Sequence, residues 1–298
     1  MLAYAAPVNP SVWKLLEQQL RTAVTLSWSS SGTMILAVDS EKGGVGKTGL
    51  VGGLLAVAGA GGLPVLGIDL DPRATLTAEL DALETGEYTV NDLLYVDPNT
   101  TDAPPLRGLA EQAIRPAGPA WPDTVHVLAA ERALAHRESD VTANLENRLK
   151  VALQGVAERY SLIVIDLPPR AGGKLVGAGL LAATHGLFPA TLDEDGYIGL
   201  RDAMRTVDIT TAADPDPMRP LGIVRNIVDR ETQLGRTYDE KLAGEYGEQL
   251  LDVAIPKRVI RSESRTACVP ITTASGPQVR PLIHAYTLLL NRIGQEAS

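Results

Sequence analysis

The chain has 298 residues, 45% of them hydrophobic and 21% charged, with a formal net charge of −9. That size allows one large domain with a substantial buried core, and the acidic balance taken alone argues against nucleic-acid binding. A single cysteine, Cys268, excludes an intramolecular disulfide framework and most cysteine-based metal sites, and no apolar run reaches the ~18 residues of a membrane span.

Pro7 and Pro10 interrupt any apolar run near the start and the first charged residue is Lys14, so residues 1–30 do not read as a signal peptide. Val12, Trp13, Leu16, Leu20 and Val24 fall near helical spacing behind Ser11, a suitable cap. They predict one amphipathic helix before the serine-rich linker Ser27-Trp28-Ser29-Ser30-Ser31-Gly32. Residues 1–33 are therefore expected to form an extension, and 34–298 the main domain. The helix is expected to pack on that domain or to join a dimer contact, with a dispensable tail as the alternative.

Met34-Ile35-Leu36-Ala37-Val38 is a short β-prone run, and Gly49 to Gly61 is rich in Leu, Val and Ala without proline. Between them lies Glu41-Lys42-Gly43-Gly44-Val45-Gly46-Lys47-Thr48. Strand, glycine loop, helix is the arrangement that points a helix N-terminus at a phosphate. In a G-x-x-x-x-G-K-[ST] loop, backbone N–H groups wrap the phosphates, the lysine reaches the β/γ oxygens and the hydroxyl binds Mg²⁺. The nucleotide-binding set is thus Lys42, Gly43, Gly44, Val45, Gly46, Lys47, Thr48 and Gly49, with ATP or ADP and Mg²⁺ as cofactors. Glu41 stands where the first glycine is usual, and Lys42 is an additional lysine. A glycine turn with chance lysines is the bland alternative, and the flanks and the carboxylates downstream argue against it.

Pro64-Val65-Leu66-Gly67-Ile68-Asp69-Leu70-Asp71-Pro72 reads as an apolar strand ending in D-x-D-P, and Tyr160-Ser161-Leu162-Ile163-Val164-Ile165-Asp166-Leu167-Pro168-Pro169 as another ending in D-x-P-P. Each places a carboxylate at the C-terminal mouth of a buried parallel strand, where ligands of open α/β sheets sit. Phosphoryl transfer needs a metal and a group that positions the attacking water. Thr48 and Asp166 are the candidate Mg²⁺ partners, and Asp71 the candidate for orienting water. Residues 97–123, with six prolines, read as an elaborated surface connection, with a partner site as the alternative. Further strands are expected near 124–128, 185–190, 220–228 and 250–254. Alternation with helical stretches implies an α/β, doubly wound, mainly parallel sheet.

These strings resemble the ParA/MinD superfamily of deviant Walker A P-loop ATPases, and most nearly its ParA (Soj-like) partition ATPases. The family's I-D-x-D-P-Q-G-N is similar to Ile68-Asp69-Leu70-Asp71-Pro72-Arg73-Ala74-Thr75, and its I-I-D-x-P-P to Val164-Ile165-Asp166-Leu167-Pro168-Pro169. Its I-P-R-x-V … K-P-I is similar to Ile255-Pro256-Lys257-Arg258-Val259 through Val269-Pro270-Ile271. The resemblance runs in order from about residue 34 to the C-terminus. It implies that Lys42 reaches across an ATP-bound homodimer to the partner's nucleotide, making Lys42, Lys47 and Asp71 the catalytic set, and that Asn226 and Pro256 lie near the adenine. Departures are Gly49 in place of a second Thr, whose hydroxyl could hold the α-phosphate, Arg73 in place of Gln, and Arg170 after the double proline. They point to slow or partner-dependent hydrolysis. Relatives that hold iron–sulfur clusters need interface cysteines, which the lone Cys268 does not supply.

Lys257, Arg258, Arg261 and Arg265 form a basic cluster opposed locally only by Glu263. By the resemblance this cluster is implied to bind DNA phosphates without base readout, against a solvated charged face or, for one arginine, a nucleotide contact. Leu282, Tyr286, Leu289 and Ile293 form an apolar stripe with few flanking cations, which reads as a core-packed terminal helix rather than a membrane-surface one. The expected function is a cytoplasmic, nucleoid-associated, Mg²⁺-dependent ATPase of plasmid or chromosome partition, with a ParB-like centromere-binding partner and no membrane. A positioning ATPase for a protein cargo and a metabolic P-loop ligase are the alternatives.

Overall fold

The computed structural model describes residues 18, 20–22, 28, 32–83, 88–95, 105–141, 143–170, 172–229 and 232–297. Eight strands form one sheet: β1 Met34–Val38, β2 Val65–Asp69, β3 Ile114–Pro116, β4 Val125–Leu128, β5 Leu162–Asp166, β6 His185–Ala190, β7 Arg219–Val228 and β8 Leu250–Pro256. Their order is β3-β4-β2-β5-β1-β6-β7-β8, and every neighbouring pair is parallel except β3 with β4. The strands of the centre are unbroken apolar runs because helices cover both faces. Leu36, Val38, Leu162 and Val164 face a core shared with helices Lys47–Ala60 and Val279–Ala297. Ala37, Ile163 and Ile165 face a second core with helices Leu145–Leu153, Lys174–Ala182 and Glu194–Thr211.

The seven strands expected from sequence are present with ends displaced by at most two residues. The eighth, β3, corrects the reading of 97–123 as a plain connection. Residues 97–104 of that stretch lie outside the described residues. Beyond them the chain forms a helical turn, Ala110–Ala113, then runs antiparallel along the sheet edge with Ile114 opposite Leu128 and Pro116 opposite His126. An edge tolerates a proline because one side of the strand needs no partner. The stripe Leu282, Tyr286, Leu289 and Ile293 is buried as expected. The expected N-terminal helix falls mostly outside the described residues; within it, Leu20 is helical and buried in the first core.

The sheet lays its central carboxyl ends side by side. Val38 pairs with Asp166, and Asp166 with Asp69, so β1, β5 and β2 deliver their terminal groups to one mouth. Asp39, the residue that follows β1, is 1% exposed, and neither carboxylate oxygen has a hydrogen-bond partner. Burial pushes its pKa up from 3.8 to about 7, an effect that the charge of Lys47 reduces but does not cancel.

Between about pH 4 and 7 the folded chain therefore holds a proton on Asp39 that the unfolded chain has released. The folded state is favoured at the acid end of that window and loses stability as pH rises through it, by up to about 4 kcal/mol for a displacement of this size. Asp39→Asn is expected to flatten the fall of Tm between pH 5 and 8.5, its advantage over wild type growing with pH. Parallel Tm–pH curves for the two proteins would show that Asp39 is already ionised at pH 5.

Candidate nucleotide and metal site

The segment after β1 turns sharply on glycines. Gly44 and Gly46 take left-handed φ of 88° and 81°, and a Cβ on Gly46 would lie 2.8 Å from both the Asn226 amide nitrogen and an Ile227 methyl. Only glycine meets both demands. Helix Lys47–Ala60 then starts with no acidic side chain in its first turn, so its positive end faces the loop uncompensated. Lys47 is 6% exposed and donates to the carbonyl of Ser40 at 2.7 Å and that of Lys42 at 3.4 Å. Burial pushes its pKa below the usual lysine range, while Asp166, Asp39 and Asp71 pull the other way.

Asp166 and Thr48 meet as the sequence requires: Thr48 Oγ1 donates to Asp166 Oδ2 at 2.6 Å. The other Asp166 oxygen is buried and without a partner. Burial holds the Asp166 carboxyl well above the ordinary range, with Asp69 adding to the effect. Asp69 is spoken for: it accepts from the N–H and hydroxyl of Thr77 and from the Asp71 N–H. It pins the D-L-D-P turn rather than facing a ligand. Asp71 lies in the mouth, and Arg73 grips both of its oxygens, Nε at 3.2 and 3.0 Å and Nη2 at 2.7 Å. The residue that departs from the family pattern thus sits directly on the candidate water-positioning group.

A cavity of about 490 Å³ opens here, lined among others by Lys47, Thr48, Asp71, Asn226 and Pro256. Asn226 and Pro256, the residues expected near an adenine, stand on its wall, but the Asn226 amide is committed to the loop, donating to the carbonyls of Val45 at 2.7 Å and Gly46 at 3.3 Å. Lys42 points elsewhere, to Asp195 at 2.8 Å, in a pair exposed by 44% and 68%.

The basic cluster divides. Lys257 and Arg265 are exposed, Arg258 is partly so, and all three lie at the rim of the same cavity. Arg261 does not belong with them. Its side chain is 13% exposed, pairs with the buried Glu79, and donates through Nε at 3.1 Å and Nη2 at 2.8 Å to the carbonyl of Gly49. An arginine spent on the loop helix cannot face a DNA backbone, so its assignment to a DNA surface is corrected. Sequence reading also missed Asp39, Asp195 and Glu79, and read Tyr286 only as part of the core stripe. Asp39 had a signal, an acidic residue immediately behind a buried strand; Asp195 and Glu79 had none, because each is brought in from a distant element.

The donor set suits a divalent cation bound beside a polyphosphate. It supplies hard oxygen ligands from Thr48 and Asp166, one of them a buried acceptor with nothing to accept from, next to a helix N-terminus and a buried lysine.

Comparison with known proteins bears on the family and the fold. The family model described as "AAA domain" matches residues 33–215. The chromosome-partitioning ATPase Soj of Thermus thermophilus is 28% identical over 260 residues, which cover 87% of this chain and 94% of that protein. Among solved structures, an ATP complex of a Cyanothece McdA variant superposes with a TM-score of 0.73 at 18% identity, covering 88% of this chain and 97% of that one. A cobyrinic acid a,c-diamide synthase from Mycobacterium smegmatis, with a bound ATP analogue and magnesium, superposes with a TM-score of 0.64 at 26% identity, covering 80% and 93%. With more than half of its length matched by the AAA-domain model and its phosphate loop and strand-end carboxylates brought into one mouth, the chain belongs to the ParA/MinD family of P-loop ATPases.

Proposed function

We propose that the protein is a DNA-partition ATPase: a dimer of this chain holding Mg²⁺ and ATP binds duplex DNA without sequence preference, and hydrolysis stimulated by a ParB-like partner releases it. The observation that supports this best is the convergence of Lys47, Thr48 and Asp71 on one cavity, with Asp166 bound to Thr48 behind its wall and an additional lysine in the loop. The relative from Thermus thermophilus, a chromosome-partitioning ATPase by name, points the same way.

Thr48 and Asp166 would hold the metal, directly or through water, and the metal would neutralise charge on the β and γ oxygens. Lys47 supplies a fixed cation at the phosphates, since its ammonium is already held by loop carbonyls. Asp71 orients the attacking water only after Arg73 yields one of its oxygens. A charge-assisted, forked contact of this kind is strong, so basal turnover is slow, and a partner that draws Arg73 away accelerates it. Lys42 is the residue for the partner subunit's nucleotide. Its present pair with Asp195 is solvent-exposed and worth less than about 1 kcal/mol, so release costs little.

A second reading, positioning of a protein cargo, gains from the net charge of −9 and from the loss of Arg261 from the basic surface. Among the described residues no helix is long and apolar enough to cross a membrane, so neither reading invokes a membrane span.

Lys47→Ala is expected to abolish ATP binding, whereas Asp71→Ala binds ATP normally and loses turnover, because water positioning enters only at the transition state. Affinity and single-turnover measurements on both variants decide this, and wild-type turnover in Asp71→Ala would remove Asp71 from the mechanism. Lys42→Ala should bind ATP yet stay monomeric by light scattering with a non-hydrolysable analogue; an unchanged ATP-dependent dimer would dismiss the trans role. Neutralising Lys257, Arg258 and Arg265 together should weaken binding to all duplex sequences alike. It should also flatten the log–log salt dependence by roughly one unit per lost phosphate contact. Unaltered DNA affinity and slope across a salt series would favour the protein-cargo reading.

A further inference from the structure

The loop helix is bare on one side. A Cβ on Gly52 would lie 2.0 Å from a Glu79 carboxylate oxygen and 2.7 Å from Arg261 Nη2, and one on Gly53 would lie 2.2 Å from the Tyr286 ring. Three side chains from three distant elements occupy the space this leaves. Arg261 and the Tyr286 hydroxyl both donate to the carbonyl of Gly49, Tyr286 at 3.2 Å, and Arg261 is tied to Glu79. Burial would lower the Arg261 pKa, but the charge of Glu79, Tyr286 and the hydrogen bonds to both together more than offset it and hold the guanidinium above its ordinary range.

The pair has a direction. The Arg261 nitrogens are the nearest atoms to the position a Gly49 Cβ would take, at 3.9 and 4.0 Å, whereas Glu79 sits beside Gly52, farther along the helix. Arg261 lines the cavity together with Thr48 and Gly49, and Glu79 does not. The contacts through Nε and Nη2 leave the other Nη of the guanidinium with donors to spare. In the phosphate loop the lysine serves the β/γ end and the Thr hydroxyl the metal, while backbone N–H groups cradle the α and β groups. Gly49, one residue farther into the helix than the metal-binding Thr48, borders the α end and brings no side chain there.

We infer that Arg261 is a nucleotide-binding residue, supplying from helix Val259–Thr266 the α-phosphate contact that Gly49 lacks, with Glu79 as its positioning residue. The inference rests on the nucleotide site proposed above. A buried, pre-oriented guanidinium suits a phosphate oxygen because its fork is fixed before the ligand arrives. The bare glycine side of the loop helix is what allows the arginine to approach.

The test is calorimetric affinity for Mg²⁺-ATP and Mg²⁺-ADP with the full chain, each variant also being melted. Arg261→Met is expected to weaken both nucleotides equally, by about tenfold or more, since the α-phosphate is common to them. Adding Gly49→Thr to that variant should restore much of the affinity by returning a hydroxyl to the same place. If Arg261→Met does not fold, Arg261→Lys, which keeps the stem and charge but not the fork, carries the comparison, with a smaller loss and the same rescue expected. Unchanged affinity in a folded variant would overturn the inference. So would a loss confined to ATP, which would move the contact to the γ end, or a lowered melting temperature with a loss that Gly49→Thr leaves unrelieved, which would make the role structural. Wild type binding neither nucleotide would instead overturn the site reading on which it rests.

Discussion

The buried ammonium of Lys47 governs the mouth of the sheet. An ion withdrawn from water costs several kcal/mol unless its charge and its donors are both answered. Here the loop answers the donors by curling its own carbonyls, Ser40 and Lys42, around the head group, which forces the left-handed turns at Gly44 and Gly46. Carboxylates on three strand ends answer the charge, and they exceed it. Asp39, Asp69, Asp71 and Asp166 share Lys47 and Arg73 between them, and burial pushes Asp69 up to about 6 and Asp166 well above the ordinary range. A mouth with more acids than cations, and one acid oxygen lacking any partner, is poised to take up a divalent cation.

Two of the groups that the proposed function would use rest in pairings of different strength. Lys42 lies on Asp195 in solvent, where Coulomb energy is screened and two long side chains must be held still. Asp71 is 4% exposed and takes a forked contact from Arg73, with the Arg73 backbone N–H adding a further bond at 3.0 Å. A second copy of the chain has little to overcome in recruiting Lys42, while freeing Asp71 requires breaking a stronger contact. On the proposed function, assembly and turnover would thereby be separated by the geometry of the two contacts and the burial of Asp71, with turnover the more heavily restrained.

The sheet was legible because its central strands are apolar on both faces and three of them, β1, β2 and β5, end on or directly before an Asp. β3 was not, since three residues ending in Pro116, within a proline-rich stretch, give no period-2 pattern, and their pairing depends on β4. At the site, Lys47, Thr48, Asp71 and Asp166 were readable from motif and strand end, as backbone geometry largely dictates where such residues point. Arg261 was misread because spacing along the chain placed it with Arg258 and Arg265. Its actual environment is decided by the absence of a side chain at Gly52, more than two hundred residues earlier in the chain. Charge clustering in sequence reports neighbours on a helix, not which of them the core has claimed.

That absence makes Gly49, Gly52, Gly53, Glu79, Arg261 and Tyr286 interdependent. A methyl on Gly52 would need Glu79 and Arg261 to withdraw, and one on Gly53 would displace the Tyr286 ring, which is buried against helix Lys47–Ala60 with no space to retreat into. Removing Arg261 alone would leave the buried Glu79 carboxyl without its partner, a larger penalty than the pair's own stabilisation. Helix interiors disfavour glycine by roughly 1 kcal/mol against alanine, so a pair of adjacent glycines here is a standing cost to the helix that carries the phosphate loop. The packing of a charged pair and a tyrosine against that helix is what offsets it. The stability of the phosphate loop and the electrostatics at its helical end are therefore set by the same six residues, and neither can drift without the other.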